Sequence, residues 1–535
     1  TNWDDFLIRG VRAVEGAPNA DSLARTMTAL FANVAPQVRI VAGAPPRVPA
    51  QRPDLGARLG VAYWSNTGLM LGAPNSAMPN IYSSVLVVSP ALDGHLPPGL
   101  PSPDSAWTAT LGGGVSAVVP TALWTTLPDD ESARRKPVTP SLPAQESLSP
   151  SDRAARIVGV ITAWNVFEHS YPYFDIVGVD WNAELPRALE TAATDPTPTD
   201  YLGTLRRLVA AAHDGHGNVY PLSGMTRRGY LPVALDWVEN QLVVTRVGDG
   251  APGDIKRGDV IESIDGVKSL DVLRKREEQI SGATPQWLRY RSVNEVMLGD
   301  SGAVLDLRLA SGRNVKLSFS SLSAVTDPRP EKIAEIRPGI YYVDIDRITN
   351  EDFNAALPKL VQARGVVFDM RGYPRQVSTP MILSRLSSDT IRSAHFEAPT
   401  FPYPDRRGVQ YNRDGGWVLP PLQPRIPGKI AFLTGGGAIS YAESTMGIVE
   451  QFKLGEIVGS TSAGTNGNVN PFTVMGAYSI AYTGMRVRKL DNTPHHGVGI
   501  KPTIPVPRTI RGVTAGRDEA LDRAIIAVGG APIVP

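Results

Sequence analysis

Short apolar strands alternate with helical stretches from about residue 330 to the C-terminus, and this alternation constrains the fold more than any other feature. A strand that is apolar throughout must be buried on both faces, and the intervening helices can cover those faces. We therefore predict an α/β region with a mostly parallel sheet. The predicted strands are 340–345, 365–370, 430–433 and 456–458, and the predicted helices are 350–363, 377–386, 441–453 and 517–528.

Length and composition indicate about three folded units and exclude several kinds of function. The 535 residues are 42% hydrophobic and 20% charged, which is typical of a globular protein. A formal net charge of +1 supplies no field for holding nucleic acid or an anionic membrane. The absence of cysteine excludes disulfides, thiolate metal sites and cysteine nucleophiles. Because the chain begins at Thr1 rather than methionine, we expect a processed protein in the periplasm or outside the cell.

Changes in residue pattern divide the chain into five parts. Helical periodicity and short strands come first, followed by a linker rich in Pro, Ser and charge and then by a second helical part. A β-rich part precedes the α/β region. The predicted parts are residues 1–127, 128–151, 152–225, 226–322 and 323–535.

The β-rich part contains a distinctive string, Ile255–Gly266, that predicts a turn, a strand and a tight hairpin. The string resembles the most recognisable stretch of PDZ domains, which implies an inserted PDZ-like domain. The resemblance places a peptide-binding loop at Tyr230, Leu231 and Val233. Pro232 in that loop has no amide to donate to an added peptide strand.

The most informative segment is Lys429–Glu443, in which an apolar strand ends at three glycines and Ser440 then begins a helix. Glycines let the backbone turn sharply and let a substrate approach, and free amides at a helix N-terminus can receive a developing oxyanion. This arrangement suits a serine nucleophile. Glu443 is also at the capping-box spacing from Ser440, so the alternative is a helix cap without a catalytic role.

A second segment places a helix before an Asp-Gly-His sequence that ends at His216. A histidine just beyond a glycine turn is less often packed in a core, so His216 is a candidate general base, and a capping or exposed histidine is the alternative. His213, in the last helical turn, suits an interaction with the helix dipole. His495 and His496 lie in a loop rich in Gly and Pro, and one of them could orient the base.

A third segment, Asp369 to Gly372, follows another apolar strand. Sites in open α/β sheets lie at the carboxyl ends of strands, so the Gly372 amide could face the strand end that carries Ser440. For Asp369 and Arg371 we favour a structural ion pair.

In the chain, the segment that ends at His216 comes first, the PDZ-like string follows, and the segments with Gly372 and Ser440 come last. In this order the segments resemble the serine peptidase family of tail-specific or C-terminal processing proteases and the tricorn core protease. The resemblance covers about residues 152–535. It implies a crotonase-like α/β core, peptide or unfolded-protein substrates and no cofactor or metal. It also implies that Ser440 forms an acyl-enzyme and that the amides of Tyr441 and Gly372 form the oxyanion hole.

Three positions depart from the family pattern. Thr465 stands where the tail-specific branch has a lysine base, so the resemblance implies the histidine base of the tricorn-like branch, which His216 matches. Tricorn-like members have a serine before that histidine and a glutamate in the final loop, where this chain has Gly215 and His496. A neutral histidine cannot replace the carboxylate's charge beside an imidazolium.

Two other functions stay open at this point. The departures also fit a catalytically weakened protein that binds a peptide or an apolar ligand, as the resemblance to interphotoreceptor retinoid-binding protein permits. Alternatively, a metal could be held by four histidines with Asp214 as a further ligand. Those histidines are His213, His216, His495 and His496.

Overall fold

A computed structural model of the protein shows an α/β core packed against a helical part and two β-rich parts. Within the described ranges, no helix is both long enough and apolar enough to cross a membrane. The described residues are 3–46, 52, 54, 58–68, 83–91, 101–104, 106–130, 135–137, 149–222, 228–401, 403 and 406–531.

The N-terminal part combines two helices with short antiparallel strands, as predicted. Strand β7 corrects the predicted linker 128–151, because it pairs with β3, while residues 131–134 and 138–148 lie outside the described residues. The elements are α1 Trp3–Val14, α2 Ala20–Phe31, β1 Arg39–Ala42, β2 Leu59–Thr67, β3 Ser83–Pro90, β4 Ala106–Thr110, β5 Val115–Pro120, β6 Ala122–Thr126 and β7 Arg135–Pro137.

The second part is mainly helical, and its aromatic side chains form a core. Phe167, Tyr171 and Tyr173 are completely buried in it. Ile8 of the first helix packs against Val158, so the N-terminal part is joined to this one. The elements are α3 Arg153–Ser170, α4 Phe174–Val177, α5 Trp181–Thr194, α6 Pro198–Ala210 and β8 Asn218–Pro221.

The third part folds around its own hydrophobic core, which includes Leu242, Ile261 and Leu317. Its elements are β9 Arg228–Tyr230, β10 Val233–Val238, β11 Gln241–Val247, β12 Val260–Ile264, β13 Val267–Lys268, α7 Ser269–Glu277, α8 Pro285–Val296, β14 Leu298–Asp300, β15 Val304–Leu309 and β16 Asn314–Ser318.

We call this third part the antiparallel domain, because β10, β11, β12, β15 and β16 form one antiparallel sheet. Asp265 and Gly266 have φ values of 50° and 78°, which confirms the predicted tight hairpin. The likeness of the domain to a PDZ domain stays a prediction. Arg508 lies 3.0 Å from Asp236, and this ion pair attaches the domain to the C-terminal segment of the chain.

The core confirms the predicted alternation of strands and helices. Its elements are β17 Ile333–Arg337, β18 Ile340–Asp344, α9 Asn350–Gln362, β19 Gly365–Asp369, α10 Thr379–Leu383, β20 Ile391–Arg392, β21 His395–Phe401, β22 Gln410–Gly415, β23 Val418–Leu419, β24 Lys429–Thr434, α11 Tyr441–Phe452, β25 Glu456–Gly459, β26 Val469–Val474, β27 Tyr478–Thr483, β28 Arg486–Arg488, β29 Ile504–Pro505, α12 Ile510–Ala515 and α13 Glu519–Ala527.

The central sheet of the core has the strand order β17-β18-β19-β24-β25-β29, and all pairs except β17 with β18 are parallel. Phe368 and Phe432 face one side, where α9 and α11 cover them. Val367 and Leu433 face the other side, against α13. Since the carboxyl ends of β19 and β24 are neighbours, the segments after Asp369 and Thr434 come together at one edge.

The N-terminal part is not an independent module, because its sheet continues into the core. Strand β2 pairs with β21, which in turn pairs with β22 and β28. The predicted boundary at residue 127 therefore separates segments of the chain that share one sheet.

Candidate active site

Ser440 lies at the sharp turn between β24 and α11. Its backbone has φ 58° and ψ −116°, a strained conformation typical of a serine nucleophile between a strand and a helix. The Ser440 amide donates to the Thr465 carbonyl oxygen at 2.9 Å, which holds the turn in place. The Ser440 side chain forms no capping hydrogen bond with α11. The helix-cap alternative for Ser440 is therefore wrong.

The three glycines before Ser440 permit close packing, and none of them has a positive φ. A Cβ on Gly437 would lie 2.6 Å from the ring of Tyr290 on α8. A Cβ on Gly436 would lie 3.2 Å from the carbonyl oxygen of Gln286, on the same helix. The missing side chains thus let the antiparallel domain pack directly on the turn that carries the serine.

Glu443 is buried and supports the loop opposite Ser440. Its carboxylate accepts hydrogen bonds from the Ser462 hydroxyl and from the amides of Gly464 and Thr465, both at 2.8 Å. The glutamate therefore fixes the same loop whose Thr465 carbonyl binds the Ser440 amide. This contact, rather than a capping box, accounts for the Ser-x-x-Glu spacing.

His216 lies on the loop that joins α6 to β8. Its Nδ1 atom is 2.8 Å from the Thr483 hydroxyl oxygen, and its amide donates to Asp214 at 3.0 Å. Its Nε2 atom is buried and has no hydrogen-bond partner among the residues that the structure describes. Within the described residues, Nδ1 of the ring is therefore hydrogen-bonded and Nε2 is not.

Thr465 joins the serine and the histidine segments. Its carbonyl accepts from the Ser440 amide, and its hydroxyl oxygen accepts from the Gly215 amide at 3.1 Å. Ser440 and His216, which are far apart in the sequence, thus lie on two backbone segments that contact one buried threonine.

The environment of His216 keeps its imidazole neutral. Burial lowers the pKa of His216 below the usual value for histidine, and the nearby Asp214 and Glu443 carboxylates raise it only in part. A neutral imidazole at physiological pH is the form that accepts a proton.

This electrostatic balance predicts the pH dependence of the enzyme. Because His216 must be neutral to act as a base and its pKa is lowered, kcat/KM is expected to fall on acidification only below a pH of about 6.5. A pH–rate profile with a peptide substrate measures this limb. An acid limb centred above that value would contradict the assignment of His216 as the base.

Gly215 explains one departure from the tricorn-like pattern. A Cβ at this position would lie 2.6 Å from Oγ1 and 2.9 Å from Cβ of Thr465, so no serine fits there without movement. The missing side chain at Gly215 therefore makes room for the side chain of Thr465.

We expect Gly215→Ser to lower the free energy of unfolding by about 1–3 kcal/mol, because the added atoms overpack a buried contact. Denaturant titration measures the change. Gly253→Ser is the matched control, since a Cβ there has no neighbour within 4 Å. Equal stability of the two variants would contradict the steric argument.

The histidine pairs are arranged differently from the prediction. His496 does not contact the base: its Nε2 atom lies 3.1 Å from the His213 carbonyl oxygen, and its ring stacks on Tyr173. Burial lowers the pKa of His496 to about 4, so its ring is uncharged at neutral pH. His213 is exposed and lies beyond the end of α6 with φ 51°, outside the last helical turn.

His495 contacts Glu443 rather than the base: its Nε2 atom lies 3.3 Å from the Glu443 carboxylate. Among the described residues, no three His, Cys, Asp or Glu side chains are grouped in a way that could hold a metal ion.

Asp369 and Arg371 form a structural ion pair, which confirms the prediction for these two residues. Arg371 lies 2.6 Å from Asp369 and 2.8 Å from Asp518. Burial by itself would raise the pKa of Asp369, but the Arg371 guanidinium outweighs it and lowers that pKa to about 2. The pair anchors the segment that carries the Gly372 amide. Among the described residues, no backbone carbonyl accepts from the amides of Gly372 or Tyr441.

The predicted peptide-binding loop of the antiparallel domain is wrong for two of its three residues. Leu231 and Val233 are each 1% exposed and belong to the domain core, so neither side chain can contact a ligand. The Tyr230 amide already donates to the Ser321 carbonyl at 2.9 Å.

The structure adds contacts that the sequence did not reveal. The antiparallel domain contacts the His216 loop and the loop that supports Ser440: the Ser281 hydroxyl accepts from the Asp214 amide at 2.8 Å, and Thr284 donates to the Ala463 carbonyl at 2.7 Å. Thr483, beside His216, lies on β27, which pairs with β8. No motif links these residues, because their contacts depend on how distant segments pair.

Ser440 lies on a strained strand-to-helix turn, and the neutral His216 lies on a second segment that contacts the same Thr465. Together they define a serine-type hydrolase. Residues 339–506 match the model of peptidase family S41, and this match makes the protein a serine-type peptidase. Peptides or proteins are the substrates of such enzymes. The match covers Ser440 and both oxyanion candidates, whereas His216 lies outside it.

Two solved structures of CPAF show the same fold. Mature CPAF matches with a TM-score of 0.56 at 12% identity, over 69% of this chain and 96% of that one. CPAF complexed with lactacystin matches with a TM-score of 0.55 at 11% identity, over 68% and 96%. The photosystem II D1 C-terminal processing protease gives a TM-score of 0.40 at 16% identity, over 68% and 98%. No curated protein matches the sequence.

Proposed function

We propose that the protein is a serine endopeptidase that hydrolyses peptide bonds through an acyl-enzyme on Ser440. The observation that carries the proposal is the contact of both the Ser440 turn and the His216 loop with Thr465. Thr465 stands where the tail-specific branch has its lysine base, and His216 offers a buried Nε2 that has no hydrogen-bond partner within the described part of the chain.

In the proposed reaction, Nε2 of His216 takes the Ser440 hydroxyl proton while Oγ bonds to the substrate carbonyl carbon. The carbonyl electron pair moves to the oxygen, which receives hydrogen bonds from the amides of Tyr441 and Gly372. The C–N bond then breaks, and His216 gives its proton to the leaving amine. Water repeats the sequence on the acyl-enzyme and releases a carboxylic acid and free Ser440.

The catalytically weakened alternative rested on Thr465, Gly215 and His496. The packing of Gly215 on Thr465 explains two of these departures, and the hydrogen bond between Nδ1 of His216 and the Thr483 hydroxyl oxygen gives His216 a partner in place of His496. These contacts support an active peptidase over a protein that only binds its ligand.

A fluorophosphonate probe and an intrinsically disordered polypeptide test the proposal. We expect the probe to label the wild-type enzyme at Ser440, as located by mass spectrometry of the labelled peptide, and the polypeptide to be cut at internal bonds. Cleavage only at chain ends would exclude an endopeptidase. Absence of both labelling and cleavage would contradict the mechanism.

A further inference from the structure

We propose that Thr483 and Asp214 are positioning residues that hold His216 in the tautomer required of a base, with the threonine hydroxyl between the imidazole and the carboxylate. The inference rests on the proposed function, because it assigns the support of the same base. It also assigns to Thr483 and Asp214 the orienting role that the sequence pattern suggested for His496.

The geometry around Asp214 is complete and closed to solvent. Asp214 and Thr483 are both 0% exposed. The Thr483 hydroxyl donates to Asp214 at 2.6 Å, and the Thr483 amide donates to the second carboxylate oxygen at 2.6 Å. The His216 amide donates to the first oxygen. Three donors from two segments therefore fix the carboxylate.

Counting protons determines the tautomer. A threonine hydroxyl has one proton, and an ionised carboxylate has none to give, so Thr483 must donate to Asp214. The Thr483 oxygen can then only accept from His216, which places the ring proton on Nδ1. The Nε2 atom of His216 is left with its lone pair, the form needed to accept a proton from Ser440.

The same arrangement favours the charged intermediate. When His216 becomes an imidazolium, Nδ1–H points at a hydroxyl that is polarised by the Asp214 charge. The charged groups that face His216 are Asp214 on its own loop and Glu443 on α11. The titratable rings nearby are His495, beside Glu443, and His496, whose pKa the Asp214 charge raises in part.

Position in the fold explains why the threonine can act in this way. Strands β8 and β27 are antiparallel, and the pairing of Asn218 with Ala481 brings the segments beyond them, with His216 and Thr483, face to face. Thr483 is thus set by a backbone ladder rather than by a mobile loop, which suits a residue that must orient a ring.

The test compares Thr483→Val, Thr483→Ala and Thr483→Ser in the full chain. The valine and alanine variants lack the hydroxyl, so kcat for a peptide substrate is expected to fall by about 10²-fold with KM little changed. Serine restores the hydroxyl and should recover activity to within about tenfold of wild type. Thr245→Val is the matched control, because Thr245 is also buried, at 2% exposure, but lies on β11 of the antiparallel domain.

A pH profile separates this role from simple packing. Asp214 raises the pKa of His216, so Asp214→Asn and Thr483→Val should both move the acid limb of kcat/KM to lower pH. An unchanged limb, or serine no better than alanine, would overturn the inference. If Thr483→Val unfolds the protein, Thr483→Ser and Thr483→Ala still test the inference, because these two variants differ only by the hydroxyl oxygen.

Labelling of the wild type by a fluorophosphonate distinguishes the two levels of the argument. Labelling at Ser440 with wild-type rates in every Thr483 variant would overturn the positioning role alone. A wild type that is not labelled and does not cleave peptides would overturn the proposed function itself.

Discussion

Ser440→Ala is expected to lower kcat for peptide hydrolysis by at least about 10⁴-fold, because the bond-forming oxygen of the proposed acyl-enzyme is removed. The alanine should also abolish labelling by a fluorophosphonate. Ser440 donates its amide, and not its side chain, to the supporting loop, so the turn should survive the substitution. Peptide cleavage kinetics and mass spectrometry of the labelled protein measure both effects.

Ser460→Ala is the matched control for this variant. Ser460 is exposed at the same edge of the sheet, where its hydroxyl lies 3.7 Å from the position a Cβ on Gly435 would occupy. We expect wild-type turnover and labelling from Ser460→Ala. Turnover in Ser440→Ala that matched this control would contradict the serine mechanism, and labelling at another serine would relocate the nucleophile.

His216→Ala is expected to have an effect of similar size, about 10⁴-fold or more in kcat, because the nucleophile loses its base. Residual activity would come from the oxyanion hole and substrate binding. The rate of fluorophosphonate labelling should fall together with kcat, since both reactions need the serine proton to be removed. Stopped-time labelling and steady-state kinetics provide the two measurements.

His213→Ala is the control for the base, since His213 is an exposed histidine on the same loop. Its removal is expected to leave kcat and labelling unchanged. An equal loss in both histidine variants would show damage to the loop rather than loss of the base. A His216→Ala enzyme with full activity would mean that another group removes the proton.

Local features of the sequence predicted much of this protein correctly. The apolar strands and the helices of the core are visible as runs within a few residues, because burial on both faces of a sheet leaves a direct trace in the sequence. The turns at Ser440 and His216 are likewise marked by glycines within a few residues of them. The hairpin at Asp265 followed from two adjacent residues for the same reason.

Errors arose where the role of a residue depends on distant partners. Leu231 and Val233 look like a binding loop in a linear pattern, but their side chains are buried in the domain core. His496 was matched to a glutamate position, although its ring stacks on Tyr173, which lies more than 300 residues earlier in the chain. Packing partners of this kind leave no spacing that a sequence can show.

The sequence by itself determined the α/β core, the β-rich part before it, and Ser440 and His216 as the candidate nucleophile and base, because each depends on short-range patterns of burial and turning. Only the tertiary structure decided how the pair is held. Thr465 joins the two segments, and Thr483 with Asp214 contacts the imidazole, through hydrogen bonds between residues hundreds of positions apart. The pairing of β8 with β27 sets the latter contact, and strand pairing is a property of the folded chain.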